Sequence, residues 1–388
     1  MSNNINPYDP IWYANEALIQ LEKALGLAAR VHRGYDKSPQ QLGSTIQISR
    51  PGTFTAQDAP STAQDLNPES LTITLNKWKE VKFALSDKEL AYTGEKIIND
   101  HIRPAAVAIA DQIDQDLAAE VTLNIPWYTD VTLASVGVAD LTAARRTLFN
   151  NRVPMNDLHG MIDGFLEEKL LGLSAFTQHQ GAGETGVQAQ LRGTLGTKFG
   201  IEWFANQNTI SKTSATIADV AGAFVGNHAA GVSTISFDGV TAAAQFAVGD
   251  ILVITGHSTA NPQQYVLTNA PLADGAGVVT GATIYPALKE AVVDNQVVTV
   301  VLNGGSGATK TQNIAFHRHV GALAMAPLPT MARELGAKVE AVVDPITGLA
   351  IRSRMFYIGD TSKVYVALDV LYGVKILNGN LGVRMRAA

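Results

Sequence analysis

The stretch "SDKELAYTGEKIINDHIRPAAVAIADQIDQDLAAEV", from Ser86 to Val121, is the strongest helix signal in the sequence, because apolar residues recur in it every three or four positions. Ser86 and Glu89 have the spacing of a capping box, so we predict that a helix begins at Ser86 and continues to about Thr122. At 1.5 Å per residue, about 37 helical residues would extend about 55 Å, with Pro104 as a point of kinking or division. A helix of this length is expected to be the structural spine of the protein.

Upstream of this helix, two short segments alternate between apolar and polar residues. They are Thr45–Ser49 and Leu71–Leu75, and the long polar segment between them contains prolines. This pattern predicts an extended hairpin, which has little core of its own and either stays mobile or packs on a neighbouring subunit. Nearer the start, apolar residues at helical spacing predict an amphipathic helix from Ile11 to about His32.

Downstream, the composition changes twice. The segment after Ala139 predicts a helix ending near Asn150 and another from about Gly164, as in an α+β domain. From Thr213 to about Asn303 the sequence is rich in Ala, Gly, Val and Thr and poor in Lys and Arg, and its short apolar runs predict an inserted β-barrel or sandwich. Strands are then expected from Ala337 to the C-terminus.

Composition excludes several classes of protein. The 388 residues are 46% hydrophobic, which is enough for one large core or several smaller ones, and no cysteine is present for disulfides or thiolate chemistry. No apolar run reaches the roughly 18 residues of a membrane helix, so we expect a soluble protein made inside the cell, without membrane contact. The net charge of −6 disfavours tight sequence-specific binding of nucleic acid.

The sequence "NGGSGATKT", from Asn303 to Thr311, resembles a phosphate-binding loop. Gly304 fits the first position of that motif, but Thr309 replaces the second glycine, and the residues that follow predict no helix to hold a phosphate. We therefore interpret the segment as the return linker of the inserted domain, with Lys310 in water. A nucleotide hydrolase that uses Lys310 remains a third hypothesis for the function.

Other candidate residues give no reaction centre. His317 and His319 share a face only in a strand and lack a third ligand, whereas His159 and His179 stand alone. Three helical aspartates, Asp111, Asp114 and Asp116, either form a solvated face or share a cation, and the solvated face is the simpler interpretation. No Gly-x-Ser-x-Gly nucleophile elbow is present. We expect a protein that is not an enzyme, with no catalytic, cofactor-binding or metal-binding residues and no cofactor.

Several segments, in order, resemble the major capsid protein of tailed bacteriophages, specifically the P22-like coat protein branch of the HK97 fold. They are "GSTIQISRPG" (Gly43–Gly52), "LTITLNKWKEVKFALSDKEL" (Leu71–Leu90) with the helix that follows it, "LRGTLGTKFGIEWFANQNT" (Leu191–Thr209), "NIAFHRHVGALAMAPLP" (Asn313–Pro329) and the C-terminal segment from "DPITG" (Asp344–Gly348) onward. The resemblance covers most of the chain.

The resemblance implies an α+β, HK97-like capsid fold with an inserted all-β accessory domain. It implies seven segments: an N-terminal arm (1–42), an extended loop (43–82), the spine helix with part of a peripheral domain (83–138), the first part of an axial domain (139–208), a β-barrel-like accessory domain (209–312), the second part of the axial domain (313–336) and the C-terminal strands of the peripheral domain (337–388).

The implied function is a structural, self-assembling subunit of the icosahedral head shell. The resemblance further implies pentamers and hexamers of one chain, a separate scaffolding protein, a portal, non-specific contact with packaged double-stranded DNA, and a place in the virion after assembly in the bacterial cytoplasm. Arg145, Arg146, Arg352 and Arg354 are candidate cations of the subunit interface. The alternative is a virion decoration or attachment protein that presents the β domain.

Overall fold

The structure is a computed structural model of the 388-residue chain. It describes residues 10–33, 45–50, 58–59, 69–86, 96–178, 189–256, 262–330, 338–343 and 349–387. These residues form two compact units, the first from residues 1–114 and 322–377 and the second from residues 115–321 and 378–388.

The described helices and strands are numbered here in chain order. The α-helices are α1 (Pro10–Ala24), α2 (Lys96–Leu123), α3 (Val138–Asn150), α4 (Gly164–Leu171) and α5 (Ser174–Thr177). The strands are β1 (Thr45–Arg50), β2 (Glu69–Thr74), β3 (Lys77–Ser86), β4 (Tyr128–Val131), β5 (Leu158–Ile162), β6 (Gly196–Lys198), β7 (Ile201–Ala205), β8 (Ser211–Thr213), β9 (Ala221–Phe224), β10 (Thr234–Asp238), β11 (Ile251–Ile254), β12 (Gln264–Leu267), β13 (Val279–Tyr285), β14 (Val297–Val301), β15 (Thr309–His317), β16 (Gly321–Ala326), β17 (Lys338–Val343), β18 (Ala350–Ile358), β19 (Lys363–Ile376) and β20 (Gly382–Ala387).

The spine helix is described from Lys96 to Leu123. Ser86 is the last residue of β3 and pairs with Lys363 of β19, and residues 87–95 lie outside the described residues. The alternation of β3 extends through Ser86 because β19 supplies a partner for its whole length. Helix α2 has 28 residues, about 42 Å at the usual rise, and remains one helix through Pro104. The prediction of a spine helix is confirmed from Lys96 to Leu123, and its predicted first turn falls on residues that are not described.

The N-terminal helix also ends earlier than predicted. Helix α1 stops at Ala24, and the segment from Leu25 onward forms turns although Leu25 and Ala28 remain buried. The reason is tertiary, because the amides of Gly26, Leu27 and Ala28 bind the carboxylate of Asp114. A local apolar spacing does not reveal such a distant acceptor.

The first unit contains a five-stranded sheet and a separate hairpin. The sheet has the order β16-β19-β18-β17, and β3 also pairs with β19. Helix α1 packs against β17 and β18. Strands β1 and β2 pair in antiparallel register from Thr45↔Thr74 to Arg50↔Glu69, which confirms the predicted hairpin. The turn at Asp344–Gly348 lies outside the described residues.

The second unit is built on a seven-stranded sheet with the order β4-β20-β15-β5-β7-β6, and β8 also pairs with β15. Helix α3 packs on β4 and β20, and its apolar face joins the core through Leu141, Ala144 and Leu148. The predicted helix end at Asn150 and the predicted helix start at Gly164 are confirmed. Between β6 and β7 the chain turns sharply at Phe199 and Gly200, both with positive φ.

The Ala- and Gly-rich segment folds into a closed barrel of six strands in the order β10-β13-β12-β11-β14-β9. Neighbouring strands are antiparallel, and the interior is filled by aromatic and branched side chains, including Phe224, Phe237, Phe246 and Tyr265. Between β8 and β15, the chain leaves and re-enters the seven-stranded sheet, so the barrel is an insertion. Barrel closure removes the exposed strand edges that a short, weakly charged sheet would present.

Two of the segments that the resemblance implies contribute strands to both units. Within residues 337–388, β17, β18 and β19 lie in the first unit, and the last strand, β20, pairs with β15 and β4 in the second unit. Residues 313–336 were grouped together, but Ala322–Ala326 of β16 belongs to the first unit. The helix α2 passes from one unit to the other after Asp114. Hydrogen-bond partners distant in sequence set these assignments.

Candidate functional site

The phosphate-loop candidate is a loop followed by a strand, as its sequence context predicts. Lys310 is the second residue of β15, so the loop leads into a strand rather than into the N-terminus of an α-helix. The expectation that Lys310 meets water is wrong. Its Nζ lies 3.0 Å from Oδ1 of Asp130, and its side chain is only 14% exposed. A lysine held by a carboxylate is not free to cradle a phosphate.

Asp130 is shared by two cations. Arg386 of β20 donates from Nε to Oδ1 at 3.1 Å and from Nη2 to Oδ2 at 2.8 Å, in the bidentate geometry typical of arginine and carboxylate. Burial would raise the pKa of Asp130, but the hydrogen bonds and charges of Arg386 and Lys310 outweigh it and lower that pKa. The Arg386 guanidinium also lies 4.0 Å from the centre of the Tyr128 ring. This arrangement is a structural ion-pair network.

We expect Lys310→Met to lower the free energy of unfolding by at most about 1 kcal/mol, because Asp130 is half exposed and keeps Arg386. Urea denaturation followed by circular dichroism measures the change, with Lys289→Met on the exposed barrel surface as the control. Neither variant should alter the affinity for ATP in equilibrium dialysis. Nucleotide binding that disappears specifically in Lys310→Met would contradict this assignment.

Two of the candidate histidines, His159 and His317, lie on the seven-stranded sheet, and His319 lies in the short 3-10 turn that follows β15. His317, at the end of β15, accepts at Nδ1 a hydrogen bond from the backbone N–H of His319 at 3.2 Å, and their ring centres are 5.2 Å apart. His159 of β5 lies beside Glu202, with Nδ1 and Oε2 separated by 3.0 Å. Among the described residues, no group of three His, Asp, Glu or Cys side chains could hold a metal ion. His179 lies outside them.

The His317 environment predicts a loss of stability in acid. Burial, and then the charge of His319, lower the pKa of His317 below its usual 6.5, so the folded state prefers the neutral ring. Protonation would also place a hydrogen on Nδ1, which now accepts the amide of His319. Stability from this residue is therefore complete above about pH 6.5 and is lost as the pH falls through the lower folded-state pKa. The loss should be smaller in His317→Asn, which retains an acceptor, when unfolding is measured from pH 7.5 to pH 5.

The expectation that the three helical aspartates form a solvated face is wrong for Asp114. Its side chain is buried, and its two oxygens accept the amides of Gly26, Leu27 and Ala28 at 2.6, 3.0 and 2.8 Å. Asp111 is exposed and Asp116 is half buried. The shared-cation alternative therefore fails, because the carboxylate of Asp114 is already filled by backbone donors.

The structure also shows what the four arginines expected at the subunit interface contact within their own chain. Arg352 is buried and pairs with Asp369 through two hydrogen bonds, Nε to Oδ1 at 3.0 Å and Nη2 to Oδ2 at 2.5 Å. Arg354 reaches Glu80 at 2.8 Å, and Arg145 donates to the carbonyl oxygen of Phe199. Of these four arginines, only Arg146 is exposed. Three of the four side chains are therefore engaged within the subunit.

Sequence reasoning missed the segment that attaches the barrel to the sheet. Gly379 donates its amide to the Tyr285 hydroxyl at 3.0 Å, and Asn380 accepts from Gln263 at 3.1 Å. Arg384 donates to the carbonyl oxygen of Gly249 at 2.9 Å. A side chain at position 379 would not fit, because its Cβ would lie 2.6 Å from the carbonyl oxygen of Asn124.

Arg386 provides a further link, from Nη1 to the carbonyl oxygen of Leu302 at 3.1 Å. The last described residues of the chain therefore fix the inserted barrel to the sheet through several hydrogen bonds. The sequence feature that could have indicated this attachment is the pair of arginines at alternate positions of the otherwise apolar segment "GVRMRA". Alternate residues of a strand lie on the same face.

No constellation typical of catalysis occurs among the described residues. One open cavity of about 400 Å³ in the second unit is lined by polar side chains and by the exposed ring of Phe165. Its carboxylate Asp163 already caps helix α4 by accepting the amide of Leu166 at 3.1 Å. No described helix is both long enough and apolar enough to cross a membrane.

Comparisons with known proteins identify the fold through structure alone. No family model and no curated protein matches the sequence. A structure from Mycobacterium phage Che8 has a TM-score of 0.50 at 14% identity, covering 93% of this chain and 90% of that one. A structure described as the capsid of Cyanophage P-SCSP1u has a TM-score of 0.45 at 14% identity, covering 90% and 85%. One described as the capsid of Ralstonia phage GP4 has a TM-score of 0.46 at 9% identity, covering 92% and 87%.

At these identities the likeness concerns the fold. The first match extends over nearly the whole of both chains, and the mixed α+β architecture carries an additional barrel as the sequence predicted. The P22-like branch stays a prediction. The protein therefore has the HK97-type fold, with a closed β-barrel inserted into its second unit.

Proposed function

We propose that this protein is the major capsid subunit of a tailed bacteriophage, of the P22-like branch, and that copies of it assemble into the icosahedral head. The observation that carries the proposal is the fold, which it shares with a phage structure over 93% of its length. The ordered sequence resemblance supports the same assignment. The role is structural, without catalysis, and the protein resides in the virion.

Two of the predicted segments have proposed roles in contacts between subunits. We propose residues 1–42 as the arm and residues 43–82 as the extended loop, which includes the β1–β2 hairpin. The hairpin packs through Ile46 and Ile73 against Ala322 and Ala324 of its own chain. Its alternate residues, such as Gln47 and Thr72, are exposed, and we propose that neighbouring copies cover that face. Pentamers and hexamers would form around a separate scaffolding protein and a portal.

Charge is distributed in a way that suits a container for DNA. Residues 214–308 contain six Asp and Glu but one Lys, whereas the rest of the chain is nearly balanced, with 29 acidic and 28 basic residues. Neither part has the excess of Lys and Arg that tight phosphate binding requires. This composition supports weak, non-specific contact with packaged DNA.

Exposed apolar side chains supply candidate contacts between copies. Phe149, Phe165 and Leu191 of the second unit are 68%, 68% and 73% exposed. Large apolar side chains at the surface gain stability when a partner covers them, at about 25 cal/mol per Å². We propose that some of these side chains become buried in the shell.

Assembly tests the proposal directly. The chain is co-expressed with the candidate scaffolding protein encoded beside its gene, and particles are examined by negative-stain microscopy and sedimentation. We expect closed shells, which Phe165→Ser should impair more than Glu168→Ser on the same helix, while both subunits remain folded by circular dichroism. Persistent monomers or trimers would favour the decoration or attachment protein and overturn the capsid assignment.

A further inference from the structure

The open cavity of about 400 Å³ in the second unit has a negatively charged lining. It lies on the side of β15 opposite to β20, where β5 and β8 pair with that strand. Two carboxylates line it, Asp163 and Glu168, together with the ring of Phe165 and several hydroxyl and amide side chains. No lysine, arginine or histidine is among its described lining residues. The cavity therefore favours a positively charged occupant.

Asp163 supplies the deeper of the two charges, and one of its oxygens is available. The residue follows β5 directly and is only 9% exposed. Its Oδ1 accepts the amide of Leu166 at 3.1 Å, whereas Oδ2 accepts no hydrogen bond from any described residue and is not sealed from solvent. A nearly buried carboxylate gains stability from a cation that reaches its second oxygen.

The shape and chemistry of the cavity suit a guanidinium group. A planar guanidinium donates several hydrogen bonds to carboxylate, amide and hydroxyl oxygens, and its face stacks on an aromatic ring such as that of Phe165. The space is many times the volume of one water molecule, about 30 Å³, so a bare ion would not fill it. The described part of the chain also offers no group of three acidic or histidine side chains for a metal ion.

A matching projection lies on helix α3. Arg146 and Phe149 are three residues apart, so they share one side of the helix, and both are exposed. Arg146 makes no hydrogen bond or ion pair with any residue that the structure describes. Helix α3 packs on β4 and β20, and neither of these two side chains lines the cavity of its own chain. The projection and the cavity are thus two different patches of one subunit.

We propose that Arg146 of one copy enters the cavity of the next copy, where its guanidinium binds Asp163 and stacks on Phe165. Phe149 then covers the rim of the cavity, and Glu168, which is 68% exposed, adds a weaker attraction. This inference rests on the proposed function, because it specifies how neighbouring capsid subunits meet. A contact between two different patches is head-to-tail, and it generates a ring such as a pentamer or hexamer when the rotation closes.

Disulfide trapping tests the contact directly, since the chain has no cysteine of its own. A chain that carries Asn150→Cys beside the projection and Gln207→Cys in the cavity lining is oxidised in assembled shells and also as concentrated, unassembled chain. We expect ladders of linked copies on non-reducing gels. The control pair, Asn150→Cys with Lys289→Cys on the exposed barrel surface, should give no ladder.

Single-cysteine chains establish the direction of the contact. Chains with Asn150→Cys alone or Gln207→Cys alone should remain unlinked, whereas a mixture of the two should give linked dimers. Dimers formed by Asn150→Cys alone would indicate a two-fold contact and would overturn the head-to-tail arrangement.

Charge reversal tests the role of the guanidinium. Arg146→Glu should lower the yield of shells about tenfold, because it places like charges together at every contact, whereas Lys289→Glu should leave the yield unchanged. Adding Glu168→Arg to Arg146→Glu should restore part of the yield, with folding of each subunit checked by circular dichroism. An unimpaired yield of shells from Arg146→Glu would overturn the inference.

Failure of this contact can be told apart from failure of the capsid assignment. Normal shells of the parent chain, without linkage of the Asn150→Cys and Gln207→Cys pair, would overturn the contact and leave the capsid assignment intact. A parent chain that forms no shells would contradict the capsid assignment. Oxidation of the concentrated chain then decides the contact, because head-to-tail ladders uphold it and their absence overturns it.

Discussion

Replacing Asp114 with alanine lowers the free energy of unfolding of the first unit by about 4 kcal/mol. The substitution leaves the amides of Gly26, Leu27 and Ala28 without their acceptor, and these donors lie in a buried or half-buried turn. An unpaired buried donor costs about 1–3 kcal/mol, and a bond to a charged acceptor is stronger than average. Urea denaturation followed by circular dichroism measures the loss.

Asp111→Ala is the matched control, because Asp111 lies in the same helix one turn earlier and is exposed. It should change stability by less than about 0.5 kcal/mol. In Asp114→Ala, amide hydrogen exchange should accelerate first in residues 25–31. Equal effects of the two substitutions would show that the contact between Asp114 and the turn contributes little.

Replacing Asp369 with alanine should cost a similar amount, about 4 kcal/mol, because it leaves a buried guanidinium unpaired. Asp369 is fully buried at the centre of the five-stranded sheet of the first unit. Besides its two bonds with Arg352, it accepts from Nε1 of Trp78 at 3.1 Å and lies 3.3 Å from Nη2 of Arg354. Denaturation of the variant by urea, compared with exposed Asp360→Ala, measures the effect.

The double variant Arg352→Met, Asp369→Leu separates the ion pair from its surroundings. Removal of both charges should restore a large part of the stability, since well-packed apolar residues replace buried ion pairs at little cost. If the double variant is as unstable as the sum of the single variants, the residues contribute independently and the assigned pairing is incorrect.

Periodicity predicted the elements whose partners are close in sequence. The hairpin of β1 and β2, the helix end at Asn150 and the short apolar strands of the barrel follow from alternation or helical spacing within one segment. The ordered resemblance predicted the HK97-type fold. The residues after the phosphate-like loop predicted no helix, and the structure has the strand β15 there.

Residues that are distant in sequence but bonded in the fold set the ends of two elements. The segment after Ala24 is not helical because Asp114 takes its amides, and Ser86 ends a strand because β19 pairs with β3 as far as that residue. The apolar spacing of Leu25 and Ala28 is helical in isolation. The sequence alone does not show whether a polar side chain such as Asp114 will form its hydrogen bonds with water or with a distant part of the chain.

Local apolar patterns were enough to predict an α+β protein with an inserted β domain, and the ordered resemblance predicted the HK97-type fold. The roles of the charged side chains depended on tertiary contacts: Asp114 holds a turn, Lys310 pairs with Asp130, and Arg384 fixes the barrel to the sheet. The energy of a charge depends on its burial and its partners, and folding brings those partners together from distant parts of the chain.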